Sequence, residues 1–199
     1  MSEQWVKLLT ETGAMQTGHF LLSSGRHSGQ YVQCALALQH PENAAKLARA
    51  LADEITAAAK DAIDCVISPP LGGLVIGYEV ARHLNVPFLF PERGEEGRFL
   101  LRRGFALSPG TRACIIEDVV TTGRTTREVI ELVRNAGGLP AALGTIIDRS
   151  ADHQIDGIPL SAVLRLSIPT YPQDECPLCA GGIPVVKPGS RRVSREAGP

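Results

Sequence analysis

Lysine is scarce in this chain, with four in 199 residues, and the stretch between Glu92 and Gly110 has neither lysine nor histidine. Positive charge there rests on arginine alone, whose high pKa makes it a poor proton donor. No apolar run approaches the roughly 20 residues that a membrane-spanning helix needs. The opening MSEQWVKLLTETGA also lacks the basic-then-apolar order of an export signal, so a cytoplasmic protein without membrane attachment is expected. An excess of one charge is missing as well: Lys plus Arg total 20 against 21 for Asp plus Glu, a net charge of -1. That balance gives no general attraction to nucleic acid, so anion binding must be local. Five cysteines, an odd number, do not make a disulfide framework. Cys34, Cys65 and Cys114 lie in apolar, strand-like contexts and read as small core residues. Cys176 and Cys179, in DECPLCAGG, have the spacing of a metal knuckle or redox pair. Two sulfurs leave a tetrahedral zinc site two ligands short, and no second knuckle or spaced histidine pair follows. A structural turn is the first expectation there, and a metal shared across a dimer the second.

Apolar residues make up 44% of the chain, enough to fill the core of one domain of this length. From Pro41, PENAAKLARALADEITAAAK puts Ala44, Leu47, Ala48, Leu51 and Ile55 on one helical face, with proline acceptable in the first turn. DCVISP then reads as a short buried strand, and GGLVIGYEVARHL as a helix starting in a glycine turn. VPFLF, TRACIIE and AALGTIID read as further strands. Between the last two, TTREVIELVRNAGG carries Val129, Ile130, Val133 and Ala136 on one face and ends in the glycines expected past a helix C-terminus. Strands separated by helices predict an α/β fold, doubly wound, with a mostly parallel sheet covered on both faces.

In such sheets ligands sit beyond the C-terminal ends of the strands. CIIEDVVTTGRTTREVI places Glu117 and Asp118 there, followed by Thr121, Thr122, Thr125 and Thr126 around Gly123. A glycine lets backbone N–H groups approach an anion closely, and the positive end of the next helix adds to them. The adjacent carboxylates would repel phosphate, so they should face hydrogen-bond donors such as vicinal hydroxyls. Phosphate on one side and a diol on the other describe a ribose 5-phosphate. The stretch is neither a Walker loop nor a dinucleotide fingerprint.

CIIEDVVTTGRTT resembles the phosphoribosyl pyrophosphate signature of the type I phosphoribosyltransferases. TGHFLLSSGRHSGQYV, from Thr17 to Val32, is similar to the N-terminal segment of the orotate phosphoribosyltransferases. IIDRS matches that family's Asp-Arg after the last core strand, at Asp148 and Arg149, and SPPLGG falls where it keeps a pyrophosphate loop. The tail CPLCAGGIPVVKPGSR also looks like some bacterial members.

The resemblance implies one phosphoribosyltransferase domain over residues 1–186, with 1–40 as a hood-like base-pocket segment and 187–199 as a flexible tail. Glu117 and Asp118 would hold the ribose hydroxyls, with Val119, Val120, Thr121, Thr122, Gly123, Arg124 and Thr125 completing the donor site around the 5-phosphate. Thr121 would also face the orotate ring, and Arg149 would pair with the orotate carboxylate. The plainer reading of Arg149 is a surface salt bridge to an acid such as Asp152. Ser24, Gly25, Arg26 and Tyr31 would line the base pocket, whereas spacing alone gives a hairpin turn around S-S-G. Pro70, Leu71, Gly72 and Gly73 would form the pyrophosphate loop. His19 and His27 read as structural hydrogen-bonders.

The implied reaction transfers phosphoribosyl from phosphoribosyl pyrophosphate to orotate, with magnesium held mainly through the donor and not by the protein directly. The resemblance further implies a homodimer whose mobile loop crosses the interface. Here that loop is FPERGEEGRFLLRRGF, with Arg93 and Arg98 as candidate catalytic cations beside Asp118; a solvated basic hairpin is the plainer alternative. The family's usual loop carries lysines and a His-Gly, and many members place lysine where Gly72 and Ser23 stand. Leaving-group stabilisation by Arg93 and Arg98 is therefore expected in place of a loop general acid. The rivals are a phosphoribosyltransferase for another base and a non-catalytic nucleotide-sensing regulator. The absent carboxylate of purines argues against the first, and the balanced charge against the second.

Overall fold

Helix α1 (Ser2–Glu11) leads into a hairpin of β1 (Met15–Leu21) and β2 (His27–Val32). The single turn α2 (Ala35–Leu38) precedes α3 (Pro41–Ala58), where Pro41 occupies the first turn and loses no helical hydrogen bond. Ala44, Leu47, Ala48, Leu51 and Ile55, the residues at helical spacing, are all buried. Next come β3 (Cys65–Ile67), α4 (Gly72–Leu84), β4 (Phe88–Leu89) and a small ribbon of β5 (Glu92–Arg93) and β6 (Phe99–Leu100). They are followed by β7 (Arg112–Val120), α5 (Arg124–Asn135), β8 (Leu139–Asp148), β9 (Gln154–Ile155), β10 (Ile158–Arg165), β11 (Thr170–Tyr171) and α6 (Pro177–Ala180). This computed structural model describes residues 2–59 and 61–188. Most of the tail expected over 187–199 therefore lies outside the described residues.

The backbone groups into two units. The larger comprises Gln33–Ser167 with the residues up to Ala14, and the smaller comprises Met15–Val32 with the residues from Ile168 on. The segment 1–40, expected as one N-terminal piece, is thus divided: only the β1–β2 hairpin belongs to the smaller unit. The reason is pairing, since β2 bonds to β1 and to β11 and to no strand of the larger sheet.

In the larger unit six strands run in the order β4-β3-β7-β8-β10-β9. All neighbours are parallel except the β9–β10 hairpin. Central parallel strands are covered on both faces, which is why Ala113, Cys114, Ile115 and Ile116 form an unbroken buried run. Cys34, Cys65 and Cys114 are buried as expected. The face of α5 carrying Val129, Ile130 and Val133 is buried against that core. Two features depart from expectation. Strand β7 continues past TRACIIE to Val120, held by pairs such as Glu117 with Thr145 and Val120 with Asp148. Strand β10 is additional to the strands expected, and it pairs with β8 from Leu143 to Asp148.

Candidate active site

The C-terminal end of β7 carries both acids. Asp118 Oδ1 accepts from the Val119 amide at 2.9 Å, and Glu117 Oε1 from the Asp118 amide at 3.2 Å. Both carboxylates are largely withdrawn from solvent. Burial first, and then the neighbouring Asp118 carboxylate, push Glu117 up to about 8. Burial also raises Asp118. Two such groups regain their charge when hydroxyl donors or a cation approach. Gly72, at the start of α4, keeps Asp118 open: a Cβ there would lie 2.5 Å from its Oδ1.

Immediately beyond the acids the chain forms an open hollow lined by Glu117, the residues from Val119 to Thr122 and the first turn of α5. Gly123 caps that helix with φ +71°, and a Cβ there would also lie 2.8 Å from Ile155 Cδ1. Both facts call for glycine. The first amides of α5 have no intrahelical acceptor and point to the hollow's end of the helix. Thr121 and Thr122 are exposed, Thr125 is half-buried and Thr126 is buried. Arg127 holds the loop from behind by donating to the Thr122 carbonyl at 2.7 Å. The arrangement suits a phosphate dianion on the amides and hydroxyls, with a donor-rich group toward the acids.

Arg149 follows β8, and its amide donates to the Val120 carbonyl at 2.8 Å, so it sits beside the mouth of the hollow. The guanidinium is half-buried, burial lowers its pKa, and its Nε has no hydrogen-bond partner. Among the described residues no acid pairs with it, so the salt bridge to Asp152 is not formed. Asp148, beside it, is fully buried and committed elsewhere. It accepts from the Ser150 amide at 2.8 Å and hydroxyl at 2.6 Å, contacts His153 Nδ1 at 2.6 Å and pairs with Arg165 at 3.7 Å. Arg149 and Arg165 line a second hollow, with Ser150, His153 and Ser167. Ser150 and Arg165 already serve Asp148, so Arg149 is the group in this hollow with an unpaired guanidinium nitrogen, and a guanidinium suits a planar carboxylate.

The pyrophosphate loop expected at Pro70–Gly73 joins β3 to α4, and Leu71 projects into solvent with 84% exposure. Gly73 packs against the Ile116 carbonyl, where a Cβ would come within 2.9 Å. The β5–β6 ribbon corresponds to the expected cationic loop. Its Arg93 is already engaged, pairing with Glu128 of α5 at 2.8 Å, lying 4.0 Å over the Phe99 ring and donating to the Gly97 carbonyl. Arg98 is exposed, with Glu96 4.0 Å away. In this conformation Arg93 anchors the ribbon to α5, whereas Arg98 and Arg102 are exposed.

In the smaller unit Ser24 and Gly25 lie in the tight turn between β1 and β2, where Leu22 and Arg26 share a backbone bond and Gly25 has φ +77°. Arg26 bonds to Thr170 through its hydroxyl at 2.9 Å and its carbonyl at 2.6 Å. Tyr31 packs against Phe20, with ring centroids 5.7 Å apart. The turn that spacing alone suggests is therefore present. His19 and His27 are buried side by side, and Cys176 and Cys179 converge on them. The partners missing downstream of the cysteines stand about 150 residues upstream.

A mostly parallel sheet with an acid pair, a threonine-glycine turn and a helix N-terminus at one strand end defines a phosphoribosyltransferase. Comparison with known proteins agrees: the family described as phosphoribosyl transferase domain matches residues 35–156. Orotate phosphoribosyltransferase of Pelotomaculum thermopropionicum is 48% identical over 96% of this chain and 98% of its own length. The enzyme of that name from Caldanaerobacter subterraneus is 47% identical over 96% and 98%. The chain belongs to the orotate phosphoribosyltransferase family. The crystal structure of orotate phosphoribosyltransferase from Aeropyrum pernix aligns with TM-score 0.66 and 28% identity, covering 80% of this chain and 92% of that one. An adenine phosphoribosyltransferase from Thermoanaerobacter pseudethanolicus, at TM-score 0.58 and 18% identity over 69% and 88%, shares the fold.

Proposed function

We propose that the chain transfers the phosphoribosyl group from phosphoribosyl pyrophosphate to orotate, giving orotidine 5-monophosphate and pyrophosphate on the route to UMP. The observation that carries this reading is Arg149: a half-buried guanidinium, with no acid partner among the described residues, beside the phosphate cradle. A cation in that position is completed by a substrate carboxylate, which orotate has and the purines lack. The α5 amides and Thr121, Thr122 and Thr125 bind the 5-phosphate, and Glu117 and Asp118 accept from the ribose hydroxyls. Ser24, Gly25, Arg26 and Tyr31 are assigned to base binding by resemblance.

The transition state gathers positive charge on the ribose as the pyrophosphate departs, and fixed carboxylates beside the ring favour that charge over the ground state. Glu117 and Asp118 are hard oxygen donors, and Gly72 leaves Asp118 open, so the residues fit magnesium carried in on the donor. Bound with the donor, magnesium supplies charge neutralisation for the leaving pyrophosphate. The protein's own contribution there comes from the backbone of Pro70–Gly73 and from Arg98, with Arg93 if the ribbon releases it from Glu128. Homodimerisation is supported by an apolar stripe of Leu71, just before α4, with Val75 and Tyr78 on that helix, which are 84%, 46% and 58% exposed. Among the described residues no helix is long and apolar enough to cross a membrane. We assign the chain to the cytoplasm.

The test is Arg149→Ala. Loss of a charged, paired hydrogen-bond donor removes roughly 1.5–3 kcal/mol. The KM for orotate should rise about 10- to 100-fold while the KM for phosphoribosyl pyrophosphate stays within about twofold. Equal effects on both substrates would place Arg149 outside the base site.

A further inference from the structure

Outside the phosphate cradle, four ligand-type atoms converge in the smaller unit: one nitrogen each from His19 and His27 and the sulfurs of Cys176 and Cys179, all within 4.8 Å of one another. We propose that these four residues form a structural zinc site, complete within one chain, that fastens the C-terminal segment to the β1–β2 hairpin.

The separations fit a tetrahedral ion. Zinc–sulfur bonds of about 2.3 Å and zinc–nitrogen bonds of about 2.0–2.1 Å set ligand atoms roughly 3.3–3.8 Å apart. Cys176 Sγ lies 3.5 Å and Cys179 Sγ 3.7 Å from His19 Nε2, and Cys179 Sγ lies 3.3 Å from His27 Nδ1. The two imidazole nitrogens are closer, at 2.8 Å, and must part by about half an ångström to take the ion.

The protons point the same way. His19 Nδ1 lies 2.7 Å from the Ile183 carbonyl oxygen, which can only accept, so Nδ1 carries the ring's hydrogen and Nε2 presents a lone pair to the other three atoms. A histidine that donates its outer nitrogen to a backbone carbonyl is in the tautomer a metal requires. Three neighbours crowd that one lone pair, whereas a cation satisfies all four donors together. Two thiolates and two neutral imidazoles also balance the charge of a divalent ion, and four protein ligands leave no open position for catalysis.

The unit needs such a fastener. Its buried residues among those described are His19, Phe20, His27, Ser28 and Cys176, so three of five are the proposed ligands and little apolar core remains. The ligands come from β1, β2 and the start of α6, elements about 150 residues apart in sequence, where closing the chain has the largest entropic effect. Val186 continues the join, donating to the His19 carbonyl at 2.8 Å and accepting from the Leu21 amide at 2.9 Å.

The test is made on the full chain, purified under reducing conditions without a histidine tag or chelator, and needs neither orotate nor the ribosyl donor. It therefore stands or falls separately from the catalytic reading. Elemental analysis should find about one zinc per chain, and cobalt(II) added to metal-stripped protein should give a thiolate charge-transfer band with the intense visible bands of a tetrahedral site. Cys176→Ser and His27→Asn should each reduce retained metal more than about tenfold. If a variant fails to fold, the cobalt spectrum of the unsubstituted chain decides. Absence of zinc together with no tetrahedral cobalt spectrum overturns the proposal, as does retention of metal by both variants or a Cys176–Cys179 disulfide in the reduced, purified protein.

Discussion

Glu117 and Asp118 are neighbours on one strand, both pushed upward in pKa, chiefly by burial. Their folded-state values lie above those of the unfolded chain, so the ligand-free folded protein binds protons more tightly. This contribution is full below the unfolded carboxylate range and is lost as pH rises toward about 8. The Tm of the ligand-free protein should therefore fall between roughly pH 5 and 8, and Glu117→Gln should flatten the decline. A variant with the unsubstituted slope would show that the pair is not strained. The acids and the threonines were legible in CIIEDVVTTGRTT because a strand, a turn and a helix start are contiguous there. The committed state of Asp148 was not, because it depends on the loop after β8 turning Ser150 and His153 back onto the carboxylate and on Arg165, seventeen residues later on β10.

At the scale of elements, glycine sets how closely α4 approaches the sheet. A Cβ on Gly77 would overlap Ser68 Oγ and lie 2.8 Å from Phe88 Cε2. Gly77→Ala should lower stability by about 1–3 kcal/mol, read as a reduced Tm, because both neighbours are packed. An unchanged Tm would mean that α4 shifts freely. The β5–β6 ribbon allows a kinetic test. Arg93→Ala frees Glu128 and should lower kcat several-fold more than it raises the KM for phosphoribosyl pyrophosphate, whereas equal changes would assign Arg93 to ground-state binding. Helix α3 was readable because its apolar residues recur on one face. Strand β10 escaped because Pro159 and Ser161 interrupt its apolar pattern. QIDGIPL does carry an Asp-Gly hairpin signal, and Asp156 and Gly157 both have positive φ, at 52° and 78°.

For the whole molecule, the exposed apolar residues Leu71, Val75 and Tyr78 are the surface on which the proposed dimer rests. Val75→Glu should move the sedimenting species from dimer to monomer without lowering Tm in proportion; an unsubstituted chain that sediments as a monomer would remove the dimer from the account. The α/β class followed from alternating strand and helix patterns. The division into two units did not, because it depends on β2 pairing with β11, about 140 residues away. The central claim concerns catalysis, and its most direct measurement is the loss of orotate absorbance when the purified protein meets phosphoribosyl pyrophosphate and magnesium, with adenine, hypoxanthine, xanthine and uracil run in parallel. The account predicts turnover of orotate and of none of the others, achieved by a loop without lysine. Donor binding with no turnover of orotate, or turnover of a purine in its place, would contradict it.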